Sequence, residues 1–347
     1  MKALVKYGNK DGEVEIRDMP IPKIKSEDVL LEVKSTGICG WDIEMWRHTM
    51  ANPVKVPVIQ GHEFCGVIKE IGAKVTHFKV GDNVVSETAA FICGNCTQCL
   101  TGNYNLCANR KGFGYGVDGA FTSYVKVPER CLHIIPENVD FDHAALTEPA
   151  CVAYNALVYM SRILPGKPVL IIGPGPVGLF CLQIAKISGA SPIIVAGTSV
   201  DKIRFDVAKE LGADLVINVE KEEVREIVLE TTKGNGCHLV IDAAGNEHAL
   251  KLAIDLVAFM GQITKIGWGP KPINFSLDPL LTKGVRLQGT FSHTWSSWEA
   301  VLSLINRGQI KIEPMITKRI GIDEWLETFK EIKDSKIVKA VMLFNRK

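Results

Sequence analysis

The most constraining feature of this chain is a run of four cysteines in the segment CGNCTQCLTGNYNLC. Cys93, Cys96, Cys99 and Cys107 are separated by two, two and seven residues. Two-residue gaps allow neighbouring sulfurs to converge on one ion, and zinc favours four thiolates in closed tetrahedral sites. The spacing therefore predicts a structural zinc site that stabilises its own loop when the metal binds. Two disulfides, or four unrelated buried thiols, remain as alternatives.

Length and charge narrow the class of protein. The chain has 347 residues, enough for about two domains, and its net charge is +1. Such a balanced charge creates no bulk field that would attract nucleic acid or an anionic membrane, so we expect neither as a partner. No apolar run approaches about 18 residues, and the N-terminal segment lacks the apolar core of a signal peptide. Reduced cysteines fit the resulting expectation of a cytoplasmic protein.

Hydrophobic patterning divides the chain into three segments. Residues 1–155 have the pattern of short strands, in which apolar residues recur at every second position, separated by turns that contain Gly and Pro. Residues 156–291 alternate apolar strands with amphipathic helices, which is typical of βαβ units over a parallel sheet. Residues 292–347 are mixed again, which suggests a return to the first domain. We expect an α/β protein with a mostly-β domain and a doubly wound parallel-sheet domain.

A glycine-rich turn opens the second domain. In VLIIGPGPVGLF, an apolar strand runs into Gly173, Gly175 and Gly178 and then into a helix, with Pro176 and Val177 between the last two glycines. The first glycine permits the tight turn, the second allows a pyrophosphate to approach, and the third allows close helix packing. Because the helix N-terminus also receives an anion, we predict a dinucleotide site.

The end of the next strand, PIIVAG, predicts which dinucleotide binds. An NAD-binding protein usually has an acidic residue there to hold the ribose 2′-hydroxyl, whereas this chain has Gly197. The residues that follow offer hydroxyls and cations suited to a 2′-phosphate: Thr198, Ser199, Lys202 and Arg204. We therefore predict NADP rather than NAD. The alternative is that the two cations merely begin a solvated helix and that Asp201 contacts the ribose.

A third set of residues is scattered through the first domain. It comprises Cys39 in GICGWD, His62 and Glu63 in GHEFCG, and Glu148 in TEPA. Each alone is more often a core, cap or surface residue. Together they form the mixed thiolate, imidazole and carboxylate set of a catalytic zinc that keeps one position open for water or substrate.

These motifs carry a family resemblance. GHEFCGVIKEIGAKVTHFKVGDNVV, the four-cysteine loop, TEPA and GPGPVG are similar, in this order, to the zinc-dependent medium-chain dehydrogenase/reductase superfamily, especially its polyol (sorbitol) and threonine dehydrogenase branch. The resemblance implies a GroES-like catalytic domain, a Rossmann coenzyme domain, a nicotinamide cofactor and a homodimer or homotetramer. It also implies a catalytic zinc in the cleft, besides the structural one.

The resemblance also assigns roles to residues. Cys39, His62 and Glu148 match the zinc ligands, Glu63 is an alternate ligand or a neighbour, and Asp42 matches the acid that orients the ligand histidine. The family usually has Ser or Thr, which shuttles the substrate proton, where this chain has Trp41. Glu44 stands where relatives often have His, and we predict that it carries the proton instead. Trp41 either shapes the substrate pocket or simply packs.

The implied reaction is hydride transfer between a secondary alcohol, such as a polyol, sugar or hydroxy amino acid, and NAD(P). The nicotinamide half should lie where apolar strands end, at Asp242 and Ala243, Ile266 and Gly267, and Phe291. Four aromatic residues are candidates for lining the substrate pocket, but they do not identify the alcohol. These residues are Trp41, Trp46, Phe91 and Phe113. One alternative function is a zinc-free quinone reductase, which would need neither the four-cysteine loop nor the set of catalytic zinc ligands. Another alternative is a non-enzymatic nucleotide-binding protein, which would need no zinc site with a coordination position open for substrate.

Overall fold

The computed structural model describes residues 1–50, 54–269 and 271–344. The chain divides into two compact units. The first comprises Met1–Glu148, Thr294–Arg307 and Ile316–Lys347, and the second comprises Pro149–His293 and Gly308–Met315. The boundaries that we predicted after residues 155 and 291 stay a prediction.

The strands follow the chain in this order: β1 (Lys2–Lys6), β2 (Val14–Asp18), β3 (Asp28–Gly37), β4 (Val58–Ile59), β5 (Glu63–Ile71), β6 (Asn83–Ser86), β7 (Tyr124–Pro128), β8 (Leu132–Ile134), β9 (Val169–Ile172), β10 (Ile193–Gly197), β11 (Leu215–Asn218), β12 (Cys237–Asp242), β13 (Val257–Lys265), β14 (Arg286–Gly289), β15 (Ile316–Ile320) and β16 (Lys339–Leu343).

The α-helices are α1 (Gly40–Arg47), α2 (Thr97–Leu100), α3 (Phe141–Ala145), α4 (Thr147–Tyr154), α5 (Pro176–Ile187), α6 (Lys202–Leu211), α7 (Val224–Thr231), α8 (Glu247–Leu256), α9 (Asp278–Lys283), α10 (Trp295–Asn306) and α11 (Trp325–Lys333). A π-helical turn, Asn155–Tyr159, follows α4. Short 3-10 turns lie at Tyr104–Leu106, Glu129–Cys131, Ser199–Asp201, Glu313–Met315 and Ile322–Glu324. None of the helices described is long and apolar enough to cross a membrane.

The first unit is mostly β. Its larger sheet has the order β15-β16-β3-β5-β6-β8, with β7 also paired to β3, and a smaller sheet has the order β2-β1-β4. Residues of β7 alternate between buried and half-buried positions, as expected of a strand with one face on a core. That core includes Phe64, Phe113, Phe121 and Phe329. The last strand, β16, pairs antiparallel with β3 and so belongs to the larger sheet of this unit.

The second unit contains a parallel sheet of the order β11-β10-β9-β12-β13-β14. Strand β9 is buried at every position, which explains its unbroken apolar sequence VLII. Since β9 lies between β10 and β12, the strand order reverses direction at this point. Ligands of open parallel sheets bind beyond the carboxyl ends of the strands at such a switch point. The predicted fold class, mostly-β unit plus parallel α/β unit, is confirmed.

Candidate active site and metal centres

The pairing of three strands brings distant residues together in the first unit. Gly37 of β3 pairs with Glu63 of β5, and the same end of β3 pairs with β16. Beyond β3, the Ile38 amide donates to the Ala340 carbonyl at 3.0 Å. Cys39 is the N-cap of α1, so the ligand-bearing segment is held between β5 and the C-terminal strand.

Cys39, His62 and Glu63 form a cluster whose ligand atoms all lie within 4.8 Å of one another. Cys39 is half-buried, and His62 and Glu63 are buried. Two of the buried atoms, His62 Nδ1 and Glu63 Oε2, have no hydrogen-bond partner among the described residues. Gly37 makes room for the carboxylate, because a Cβ there would lie 2.1 Å from Glu63 Oε2. The donor set and its unsatisfied atoms fit a metal ion such as zinc.

Lys339 contacts the cluster and is a residue that the sequence alone did not reveal. Its Nζ donates to Glu63 Oε1 at 2.6 Å and to the Ile38 carbonyl at 2.8 Å. Both side chains of this ion pair are almost fully buried. One carboxylate oxygen of Glu63 is therefore anchored by a cation while the other remains available. A lone lysine in the otherwise apolar strand KAVML is the signal that could have revealed it.

Asp42 lies beside His62, as predicted for an orienting acid. Its Oδ2 accepts from the Cys39 amide at 2.9 Å, which closes the first turn of α1. Its Oδ1 lies 3.8 Å from His62 Nδ1, too far for a hydrogen bond. Both side chains are buried. The carboxylate is thus fixed by the helix start and faces the imidazole.

The electrostatics of the cluster favour a bound cation. Burial raises the pKa of Asp42 and of Glu63, which disfavours their charged forms. Burial works against a charged His62, but Asp42, Cys39 and Glu148 raise its pKa well above 6.5. Three carboxylic acids and the Cys39 thiol thus surround His62, and its raised pKa shows that they attract positive charge. A metal ion would take the place of the proton on His62 and stabilise the ionised acids that burial disfavours.

Glu148 and Glu44 lie outside the tight cluster. Glu148 occupies the first turn of α4 and is buried. Its carboxylate is not part of the group of three ligand atoms that lie within 4.8 Å of one another, although its charge raises the pKa of His62 and of Glu63. Glu44 is half-buried in α1, and burial raises its pKa.

The four cysteines of the loop converge as predicted. Their sulfurs lie within 4.8 Å of one another, with 3.9 Å between Cys93 and Cys99 and 3.6 Å between Cys93 and Cys107. A tetrahedral ion with Zn–S bonds of about 2.3 Å separates its sulfurs by about 3.8 Å. All four are free thiols, which removes the two-disulfide alternative. Backbone N–H groups of Asn95 and Cys96 lower the pKa of the Cys93 thiol to about 6, whereas burial and the neighbouring thiols raise the pKa of Cys99 to about 12. Cys93 is thus prepared as a thiolate, and Cys99 would need a metal ion to lose its proton.

The glycine turn has the geometry of a phosphate cradle. Gly173 has φ +97°, and a Cβ there would lie 2.9 Å from the Ala244 amide nitrogen. Gly178 packs so closely that a Cβ would lie 2.0 Å from the Gly173 carbonyl oxygen. Gly175, by contrast, faces open space at the start of α5, followed by Pro176 and Val177. The space in front of Gly175 fits a ligand phosphate at the helix N-terminus.

The residues after β10 are held by two carboxylates. Asp201 accepts from the Thr198 amide at 3.0 Å and from Arg204 Nη1 at 2.8 Å. The Ser199 amide donates to Glu220 Oε2 at 2.9 Å. Lys202 is exposed at the start of α6. Of the two predicted cations, Arg204 is therefore ion-paired within the protein and Lys202 faces solvent.

The residues predicted around the nicotinamide lie at the carboxyl ends of β12, β13 and β14. The amides of Ile266 and Gly267 both donate to the Asp242 carbonyl at 2.9 Å, and the Ala243 amide donates to Ile172. Asp242 is also ion-paired with Lys265, Nζ to Oδ2 at 3.1 Å. These contacts hold together the loops that follow β12 and β13 at the carboxyl edge of the parallel sheet. Phe291 lies beside Trp268, with ring centroids 5.9 Å apart.

The four aromatic pocket candidates have different surroundings. Phe113 lies in the hydrophobic core of the first unit, and the half-buried Trp46 packs against that core. Phe91 is 47% exposed. Trp41 packs edge-on against Tyr115, with ring centroids 6.1 Å apart. Among the four, Trp41 is the one in the same helical turn that begins at Cys39.

Comparison with known proteins identifies the family. The alcohol dehydrogenase GroES-like domain matches residues 25–137, and the zinc-binding dehydrogenase family matches residues 176–307. The sorbitol dehydrogenase of Halalkalibacterium halodurans is 38% identical over 343 residues, 99% of each chain. The D-arabitol-phosphate dehydrogenase of Enterococcus avium is 34% identical over 346 residues, 99% of this chain and 98% of that one.

Solved structures agree with the sequence matches. A zinc-binding dehydrogenase from Sinorhizobium meliloti, bound to NADP, superposes with a TM-score of 0.91 at 28% identity over 99% of each chain. The predicted GroES-like and Rossmann folds are confirmed. The chain therefore belongs to the zinc-dependent medium-chain dehydrogenase/reductase superfamily, in its polyol and threonine dehydrogenase-like branch, and is an NAD(P)-dependent oxidoreductase that acts on alcohols.

Proposed function

We propose that this protein oxidises a secondary alcohol of a polyol, sugar or hydroxy amino acid. The observation that carries the proposal is the cluster of half-buried Cys39 with buried His62 and Glu63, whose ligand atoms lie within 4.8 Å of one another. Similarity to a sorbitol dehydrogenase and a D-arabitol-phosphate dehydrogenase supports the substrate class.

In this proposal Cys39, His62 and Glu148 hold the catalytic zinc, with Glu63 as an alternate ligand. Zinc supplies a Lewis acid that lowers the pKa of the alcohol, and the nicotinamide supplies the hydride acceptor. Asp42 keeps the imidazole of His62 in its orientation from the first turn of α1. Lys339 holds one oxygen of Glu63 and leaves the other to face the metal.

Glu44 would move the substrate proton. It replaces the usual hydroxyl relay, since Trp41 is a hydrogen-bond donor only and cannot pass a proton on. Burial raises the pKa of Glu44, and a base with a pKa closer to neutrality is better matched to proton transfer near pH 7.

The proposal includes two zinc ions per chain, one in each cluster. The second ion would be structural, because four thiolates close the coordination sphere and leave no open position. The ten cysteines, all free thiols, support a location in the reducing cytoplasm.

For the nucleotide, we propose a preference for NADP. Gly197 leaves no acid to repel a 2′-phosphate, and the exposed Lys202 offers it a cation, while Asp201 and Glu220 are engaged by the loop itself. Lys202→Ala should lower kcat/KM for NADP about fivefold and leave NAD unchanged. Lys209→Ala, an exposed lysine at the other end of α6, is the matched control. A wild type that prefers NAD contradicts the proposal.

For assembly, we propose that copies of this chain associate through the β14 edge of the parallel sheet. Phe259, Met260 and Leu281 are 74–80% exposed beside this edge, and Leu287 of β14 is 41% exposed. An open edge strand with exposed apolar side chains favours pairing with a second copy. Light scattering should give a homodimer or homotetramer, and Phe259→Asp with Met260→Asp should give monomers. A monomeric wild type contradicts the proposal.

The function itself is tested by a substrate screen. Zinc-loaded protein is assayed with secondary alcohols, polyols, sugars and hydroxy amino acids, each with NAD and NADP. We expect nucleotide reduction with at least one class, and its loss on treatment with a zinc chelator. Turnover that survives removal of all zinc, or its absence with every class, contradicts the proposed function.

A further inference from the structure

Gln60 is a buried glutamine that stands between strand β4 and the candidate ligand His62. Its amide donates to the Leu4 carbonyl at 3.0 Å, and its carbonyl accepts from the Phe121 amide at 2.9 Å. The next residue, Gly61, has φ +92°, and a Cβ there would lie 2.6 Å from the Phe121 ring. The backbone that leads into His62 is therefore fixed on both sides.

The side chain of Gln60 reaches from this segment to helix α1. Its Nε2 donates to the main-chain carbonyl of Asp42 at 3.2 Å. Asp42 lies in the first turn of α1, and its carboxylate accepts from the amide of Cys39, the N-cap, at 2.9 Å. One side-chain amide thus links the helix start that carries Cys39 to the segment that carries His62.

The hydrogen bonding of this side chain is incomplete. Gln60 Oε1 is buried and has no partner among the residues that the structure describes. A buried polar atom without a partner costs stability, and an apolar side chain of similar size would avoid that cost. Stability alone therefore does not account for a glutamine at this position.

A second buried glutamine, Gln183 of the second unit, shows the contrast. Its Nε2 donates to the Lys311 carbonyl at 3.1 Å, and its Oε1 accepts from the Lys311 amide at 2.7 Å. Both ends of that amide are bonded, as expected of a glutamine that joins two parts of a fold. Gln60 uses one end only, and the bond that it makes is the one to the first turn of α1.

We propose that Gln60 is a positioning residue for the metal ion of the candidate active site. Its amide fixes the start of α1 relative to the segment after β4, so that the Cys39 thiol and the His62 imidazole meet at one ion. Ligands that are already held in place lose little conformational entropy when the ion binds. The inference rests on the proposed function, in which this cluster holds the catalytic zinc, and adds a residue outside the predicted ligand set.

The test measures zinc affinity in the variant Gln60→Met, which keeps the length of the side chain and removes the amide. Competition with a chelating dye should show one of the two zinc ions bound about tenfold to 100-fold more weakly, as is usual when residues that orient metal ligands are replaced. The zinc of the four-cysteine loop should keep its affinity and serves as an internal reference. Gln183→Met, which removes a buried amide from the second unit, is the matched control and should leave both affinities unchanged.

Gln60→Asn is the second variant, because it keeps the amide but is one methylene group too short to reach the Asp42 carbonyl. We expect the same weakening of one zinc ion, and this variant decides the question if Gln60→Met does not fold. Unchanged affinity in a folded Gln60 variant, equal weakening of both zinc ions, or the same loss in Gln183→Met overturns the inference. Because zinc binding is measured without alcohol or nucleotide, the result decides the role of Gln60 even when the screen of alcohols finds no oxidation and the proposed function fails.

Discussion

The two metal-binding clusters of the first unit are built in opposite ways. The four-cysteine cluster draws all its ligands from one loop of fifteen residues, Cys93 to Cys107, and three of the four thiols are only half-buried. The cluster of Cys39, His62 and Glu63 is assembled by β3, β5 and the start of α1 and is supported by β16. A local site depends on its own loop, whereas the second site depends on the fold of the whole unit.

The chemistry of the two clusters differs in the same way. Four equivalent thiolates close a tetrahedral site and leave nothing to react. A thiol, an imidazole and a carboxylate with unsatisfied atoms form a mixed set that suits an ion with an open position. Substitutions in the loop should therefore affect stability, and substitutions in the mixed cluster should affect turnover.

The largest effect is expected from Cys99→Ser. Zinc binding by a closed cysteine site contributes roughly 10 kcal/mol of folding free energy to the segment that it orders. Loss of one ligand should remove one zinc per chain and lower the melting temperature by several degrees or cause aggregation. Metal analysis and calorimetry check this. An unchanged melting temperature with one zinc fewer contradicts a structural role for the loop.

The next largest effect is expected from Cys39→Ser, which removes a ligand of the other cluster only. Turnover should fall by at least about 1,000-fold, because the Lewis acid is lost, while the fold and nucleotide binding remain nearly intact. Circular dichroism, nucleotide titration and steady-state kinetics provide the comparison with the wild type. Activity close to that of the wild type rules out the assignment.

Lys339→Met tests how far the mixed cluster depends on the fold. Removal of one partner from a buried ion pair leaves an uncompensated carboxylate, and we expect a loss of about 3 kcal/mol in the free energy of unfolding. Lys74→Met is the control, because its pair with Glu27 is exposed and should contribute less than about 1 kcal/mol. Chemical denaturation measures both. Equal effects at the two positions show that Lys339 supports the site no more than a surface lysine.

The smallest effect is expected from Glu44→Gln, which keeps the shape of the side chain but cannot ionise. If Glu44 accepts the proton, kcat for alcohol oxidation should fall roughly 10-fold to 100-fold, and less at high pH, where hydroxide substitutes. Since burial raises the pKa of Glu44, wild-type kcat should fall as the pH drops through that raised value. Rates between pH 6 and 10 measure this. A raised KM with an unaltered pH profile assigns Glu44 to substrate binding instead.

Much of this comparison could be predicted from sequence, because its signals are local. The spacing of Cys93, Cys96, Cys99 and Cys107 lies within one loop, and Gly173, Gly175 and Gly178 lie within one strand-turn-helix unit. The strand predicted in KAVMLFNRK is found as β16, which ends at Leu343. Each of these features depends on residues that are neighbours in the chain.

The remaining features of the site depend on side-chain contacts that are visible only in the folded structure. Lys339 and Glu63 are 276 residues apart, and neither carries a local pattern that predicts the other. The pairing of Arg204 with Asp201 is local, but side-chain hydrogen bonds decide it, and the sequence alone could not distinguish it from a free cation. The contact between Trp41 and Tyr115 likewise required the fold of the loop after the cysteines.

The most direct test of the account is anomalous diffraction from crystals of the wild-type protein at the zinc absorption edge. We predict two peaks per chain, one among Cys93, Cys96, Cys99 and Cys107 and the other beside Cys39 and His62 with a carboxylate of Glu63 or Glu148. A single peak in the cysteine loop, in protein shown to be active and zinc-saturated, contradicts the claim that the mixed cluster is the catalytic metal centre.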